Sequence, residues 1–177
     1  QTLGAGVRLV YLHGAWVWTG ILAFALSALA GLAALFVRRP AAHAVSLALA
    51  RTALVFWLTY LPMSLLVMQL NWGGLALDEP RWVTPFRFGI VAIGLQVGLA
   101  LIDRPALTSA ANLLFGAALL WGLQSTVNIL HPDSPVFSSG SARIQLFFVA
   151  LLVLSLFAGA QIFAWFYQRI HARIVKK

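Results

Sequence analysis

The chain has 177 residues, 62% of them apolar and only 9% charged, with no cysteine and a formal net charge of +8. Soluble domains carry roughly 25% charged residues, so this composition excludes an ordinary water-soluble fold, and the length allows one domain with no separate soluble module. The lack of cysteine excludes disulfides, thiolate iron–sulfur clusters, CxxC redox pairs and covalent haem attachment, leaving His, Met or oxygen ligands for any metal.

Five apolar stretches are each long enough to cross the bilayer, which takes about 20 helical residues for about 30 Å of hydrocarbon. The first spans about 7–37 and ends at Arg38-Arg39-Pro40. The second spans about 42–70 and ends at Asn71-Trp72-Gly73-Gly74. The third spans about 83–102 and stops at Asp103-Arg104-Pro105. The fourth spans about 106–130 and stops at His131-Pro132-Asp133, and the fifth spans about 142–170 and runs into a basic tail. Pro and Gly punctuate these boundaries, as residues that break or cap helices do. The expected fold class is an all-α integral membrane protein, with residues 1–177 forming a single transmembrane domain of five helices. The six residues ahead of the first helix are short and polar to small, so no cleavable signal peptide is expected.

Lys and Arg set the expected orientation, because they concentrate on the cytoplasmic side. Arg38, Arg39, Arg104, Arg169, Arg173, Lys176 and Lys177 fall at one end, with Arg51 near it, against Arg8, Arg81, Arg87 and Arg143 at the other. The N-terminus is therefore expected outside and the C-terminus inside, in a bacterial or archaeal cytoplasmic membrane. The positive charge is read as contact with lipid headgroups, and no nucleic-acid partner is expected. Small residues mark packing stripes: Gly20, Ala23, Ser27, Gly31 and Ala34 on helix one, and Gly94 and Gly98 on helix three.

Two histidines fall near the outer end. His13 shares the helix-one stripe with Trp16 and Gly20, which points it into the bundle. His131 would end helix four, on a face with Asn128, Gln124, Trp121 and Ala117. Inward polar residues in a membrane helix are costly and suggest function. Two facing imidazoles can hold a haem iron, while the alternative is a pair of interfacial histidines bonded to backbone or headgroups. Met63 and Met68 lie toward the same end and offer a thioether in place of one imidazole. Arg87 lies on the face of Gly94 and Gly98 and is expected to point inward, toward haem propionates, since Arg pairs bidentately with carboxylates. Arg81 and Arg143 are further candidates, with Arg8 behind them. His43 and His171 are read as interfacial, and Arg51 as snorkelling, with Asp103 its candidate partner. Only four acidic residues occur, which leaves no paired-carboxylate site. There is no phosphate loop and no HExxH motif, so a stand-alone enzyme is not expected.

Three segments together resemble the CcmC/CcsA-type haem-handling membrane proteins of cytochrome c maturation. Tyr11-Leu12-His13-Gly14-Ala15-Trp16 resembles that family's His-x-Pro-x-Ala-Trp element, without its Pro. The stretch from Trp72-Gly73 through Asp78, Arg81 and Thr84 lies where the family has its Trp-rich outer loop, here without the tryptophan cluster. Asn128-Ile129-Leu130-His131-Pro132 resembles its second histidine segment. The resemblance implies a non-covalent haem b held by His13 and His131 as metal ligands at the outer face. It also implies that Trp72 and its loop present haem to a partner such as a c-type cytochrome. The missing cluster leaves two alternatives: a b-type cytochrome subunit that transfers electrons within a larger complex, and a pigment-binding or scaffold subunit. In each reading the partners are membrane lipids and other membrane or periplasmic subunits.

Overall fold

The computed structural model of the protein describes residues 7–127 and 136–175. It is all-helical over those residues: α1 (Val7–Val37), α2 (Pro40–Trp72), α3 (Pro80–Ile102), α4 (Pro105–Gln124) and α5 (Ala142–Val175), with a short 3₁₀ turn at Phe137–Ser139 before α5. All five α-helices are long and apolar enough to cross a membrane.

Three helices start earlier than the sequence reading placed them, at Pro40, Pro80 and Pro105, which sit at the first helical position. A proline there loses nothing, because the N–H it lacks would have no helical acceptor, and its fixed φ suits the helix. The two links at the basic end, 38–39 and 103–104, are therefore two residues each. Arg38 and Asp103 turn the chain there with φ of 55° and 50°, and the Asp103 N–H closes α3 on the Leu99 carbonyl at 3.1 Å.

α4 ends sooner than expected. It stops at Gln124, where the Ser125 N–H bonds to Trp121 O, so the predicted continuation to 130 is corrected over 125–127. Beyond that it falls on residues outside those described.

α1 and α2 form the centre. α1 packs on α2, α4 and α5, while α3 touches α2 and α4 and lies on the flank. The helix-one stripe behaves as read, with Gly20, Ala23, Ser27, Gly31 and Ala34 all buried. A Cβ on Gly31 would stand 2.5 Å from the Ser109 carbonyl oxygen, and one on Gly116 would stand 2.7 Å from Ala28 Cβ. The α1–α4 backbones thus approach as closely as glycine allows. The second stripe is corrected. Gly94 is exposed, and a Cβ on Gly94 or Gly98 would meet nothing within 4 Å. The outer surface is rich in large apolar side chains, among them Phe36, Leu101, Leu114 and Trp121, each at least 70% exposed.

A polar seam crosses the core nearer the basic end. Ser27 and Ser46 each donate a hydroxyl to the other's carbonyl, at 2.8 and 3.0 Å. Asn112 donates to Ser46 Oγ at 3.1 Å and accepts from Gln96 Nε2 at 3.0 Å. His43 Nδ1 lies 2.7 Å from Ser109 Oγ. His43 is therefore half-buried and built into the helix packing rather than lying free at the interface. These bonds tie α1, α2, α3 and α4 where no water would satisfy them.

Candidate functional site

At the opposite end of the bundle, where α2 hands over to α3 and the chain enters α5, lies a cavity of about 510 Å³. This is within the usual range of small-molecule sites, about 300–1,000 Å³. Its walls are mostly apolar and aromatic, with Trp18, Trp57, Phe137 and Phe148 among them. The polar groups on it are few: His13, Tyr60, Ser64, Glu79, Arg81 and Thr126.

α1 brings His13 to this wall two residues before the buried Ala15 and six before the buried Thr19. The imidazole packs obliquely on Tyr60, with centroids 5.6 Å apart and planes at 52°. α2 supplies Trp57, Tyr60, Ser64 and Met68 at spacings of three and four, all on its buried side. The Trp57 indole donates to the Pro85 carbonyl at 3.0 Å, fixing α3 against this face. The end of α2, the 73–79 connection and the start of α3 close the mouth with Trp72, Glu79 and Arg81. Glu79 is 2% exposed and caps α3, accepting the Arg81 backbone N–H at 3.4 Å. A carboxylate is well placed at a helix N-terminus, where the dipole and the open N–H groups favour it.

The sequence candidates divide as follows. His13, Trp72 and Arg81 line the cavity, with Arg81 exposed at its rim. Met68 lines it too, 5% exposed, whereas Met63 does not. Trp16 is a packing residue: its indole donates to Thr59 Oγ1 at 2.7 Å and rests on Phe56, away from the cavity.

Arg87 is exposed, on the outward face with Gly94, and does not reach the cavity, so its inward placement is corrected. The burying side of α3 is instead that of Pro85, Gly89, Ala92 and Leu99. Arg143 is exposed on α5 and likewise off the cavity. His131 lies outside the described residues. The α4 face used to orient it is exposed at Ala117, Trp121 and Gln124, so that argument for an inward His131 does not hold. His171 is exposed and stacks on Tyr167 at 5.5 Å, as an interfacial residue does. Arg51 is half-buried within α2.

Glu79, Tyr60 and Ser64 were not singled out by sequence. Glu79-Pro80 carries a cap signature, an acidic residue before a proline that begins a helix. Tyr60 and Ser64 follow from stepping between Trp57 and Met68 along one face.

The walls are apolar, one imidazole and one thioether reach the interior, and a guanidinium stands at the rim. No group of three or more His, Cys, Asp or Glu capable of holding a bare metal ion occurs among the described residues. Comparison of the chain with protein-family models, curated proteins and solved structures finds no match.

Proposed function

We propose that the protein is a five-span membrane protein that binds a non-covalent haem b in this cavity. Its N-terminus would lie outside and its C-terminus on the cytoplasmic side, in a bacterial or archaeal cytoplasmic membrane. One observation carries the cofactor reading: a single imidazole, His13, on the wall of a mostly apolar cavity of about 510 Å³. His13 is one axial ligand. The second is His131, the partner that the motif order suggests, and Met68 is the alternative already in the cavity wall. Arg81 is the residue placed to meet a propionate. Such ligands set the redox potential of a haem iron.

The role favoured is haem handling in cytochrome c assembly. It is supported by the three motif resemblances and by the position of Trp72, Glu79 and Arg81 at the cavity mouth, where a loop that hands haem to a c-type cytochrome must lie. A second reading is a b-type cytochrome subunit of a larger complex. What favours it is the bare outward face of α3 at Gly94 and Gly98, a surface of the kind on which a neighbouring subunit's helix packs.

The test is an absorption spectrum of the purified chain with pyridine extraction. Haem b with a low-spin spectrum is expected. His13→Ala abolishes that spectrum, whereas His43→Ala and His171→Ala leave it intact. His131→Ala and Met68→Ala identify the second ligand. A folded wild-type chain that takes up no haem overturns the proposal.

A further inference from the structure

The cavity between α1 and α2 carries two polar groups that the haem contacts do not employ. Tyr60 and Ser64 line its wall and are 3% and 7% exposed. They stand four residues apart, on one face of α2. Among the described residues neither hydroxyl has a hydrogen-bond partner. Thr19, Thr52 and Thr108 each turn their hydroxyl back on the carbonyl four residues earlier, at 2.9, 2.9 and 3.2 Å, a common bond for a hydroxyl inside a helix. Ser64 makes no such bond to the Tyr60 carbonyl. Trp82, Gln96 and Ser155 hold unpartnered polar atoms that packing seals off. The Tyr60 and Ser64 hydroxyls are not sealed off and open onto the cavity.

A buried hydroxyl without an acceptor costs free energy, so two of them on one turn point to an acceptor oxygen supplied from within the cavity. The charges on the wall favour a neutral acceptor. Glu79, 2% exposed, already places a carboxylate there, and a second anion in a mostly apolar space would be repelled by it. Arg81, the Arg on the wall, is exposed at the rim. The indoles of Trp18, Trp57 and Trp72 also line the cavity, and indoles favour a flat ring as their partner.

We infer that the cavity, when it holds no haem, takes the headgroup of a quinone, one ring carbonyl accepting from both Tyr60 and Ser64. A carbonyl oxygen is neutral and has two lone pairs, one for each donor, and the quinone ring that carries it is flat, largely apolar and soluble in a bilayer. Haem and a quinone headgroup would fill the same space of about 510 Å³ and exclude one another. A protein that hands haem on passes through a haem-free state, and that state is the one open to the quinone.

The full chain, prepared free of haem in lipid nanodiscs, is titrated calorimetrically with dimethylnaphthoquinone and with dimethylnaphthalene, the same ring without its oxygens. Tyr60→Phe combined with Ser64→Ala is expected to weaken quinone binding roughly 30-fold, the net effect of two hydrogen bonds, and to leave dimethylnaphthalene binding unchanged. The carbonyl stretch of isotope-labelled quinone is expected at a lower wavenumber on the wild type than on the double variant. Unchanged quinone affinity in the double variant overturns the site, and so does an equal loss for both ligands, which would give the hydroxyls a packing role only. The haem-loaded chain is expected to bind no quinone; binding undiminished by haem overturns the shared cavity. A wild-type chain that takes up haem but, when haem-free, binds no quinone refutes the quinone site alone. One that binds the quinone and takes up no haem refutes the haem reading alone.

Discussion

Replacing Gly31 with alanine places a methyl group 2.5 Å from the Ser109 carbonyl oxygen and 3.2 Å from the Ser46 hydroxyl. The carbonyl belongs to the α4 backbone and cannot rotate aside. α1 and α4 must part by about 0.9 Å, the gap between 2.5 Å and the 3.4 Å at which ordinary contact begins. The separation also disturbs the Gly116–Ala28 contact, one turn along α1 and two turns along α4 on the same seam. Overpacking of this kind costs about 1–3 kcal/mol, and the better helix propensity of alanine returns about 1 kcal/mol. A net destabilisation of about 0–2 kcal/mol is expected, about 1–3 kcal/mol below an alanine substitution that meets no contact.

Gly94→Ala is the matched control. It gains the same propensity with nothing within 4 Å of its Cβ, so it should be neutral or slightly stabilising. The two variants are compared by equilibrium unfolding in mixed micelles with added dodecyl sulfate, followed by tryptophan fluorescence. A Gly31→Ala protein as stable as the Gly94→Ala protein would refute the close α1–α4 seam and with it the choice of which stripe packs.

Asn112→Leu removes the donor to Ser46 and the acceptor of Gln96, and should cost about 1–2 kcal/mol in the same unfolding assay. No loss would mean that the polar seam is not formed in the folded chain. Cysteines introduced at Arg39 and Ser139 should label from opposite sides of sealed vesicles, since three helices, α2, α3 and α4, lie between them; same-side labelling contradicts five spans. Trp72→Ala, which opens the cavity mouth, should abolish covalent cytochrome c formation in cells while the protein stays inserted. Normal cytochrome maturation in a deletion strain would remove the assembly role and leave the electron-transfer reading.

Much of this fold was legible in the sequence because its cause is local. Twenty or more apolar residues in a row, bounded by Pro and Gly, make a long helix whatever surrounds them, so five helices were found with ends in error by a few residues. Those errors have one main source: Pro40, Pro80 and Pro105 were read as breakers, although at the first helical turn a proline is an initiator. His13 was also placed correctly, since its helix is continuous through the buried stripe of Gly20, Ser27 and Gly31, and one phase fixes them all.

What the sequence could not decide was which of two similar stripes would find a partner. Gly20–Gly31 and Gly94–Gly98 look alike, yet one is buried and the other faces outward. In a chain apolar on every side, hydropathy carries no inside-to-outside signal, and facing follows only from which helices meet. Arg87 was misplaced because its phase was tied to the stripe that turned outward. The argument for His131 failed because the α4 face it borrowed, at Ala117, Trp121 and Gln124, is exposed, and α4 stops at Gln124. The cavity itself is a tertiary object. His13, Met68 and Glu79 come from three separate segments, and only the packing of α1 on α2, with the start of α3 folded over their end, brings them onto one wall.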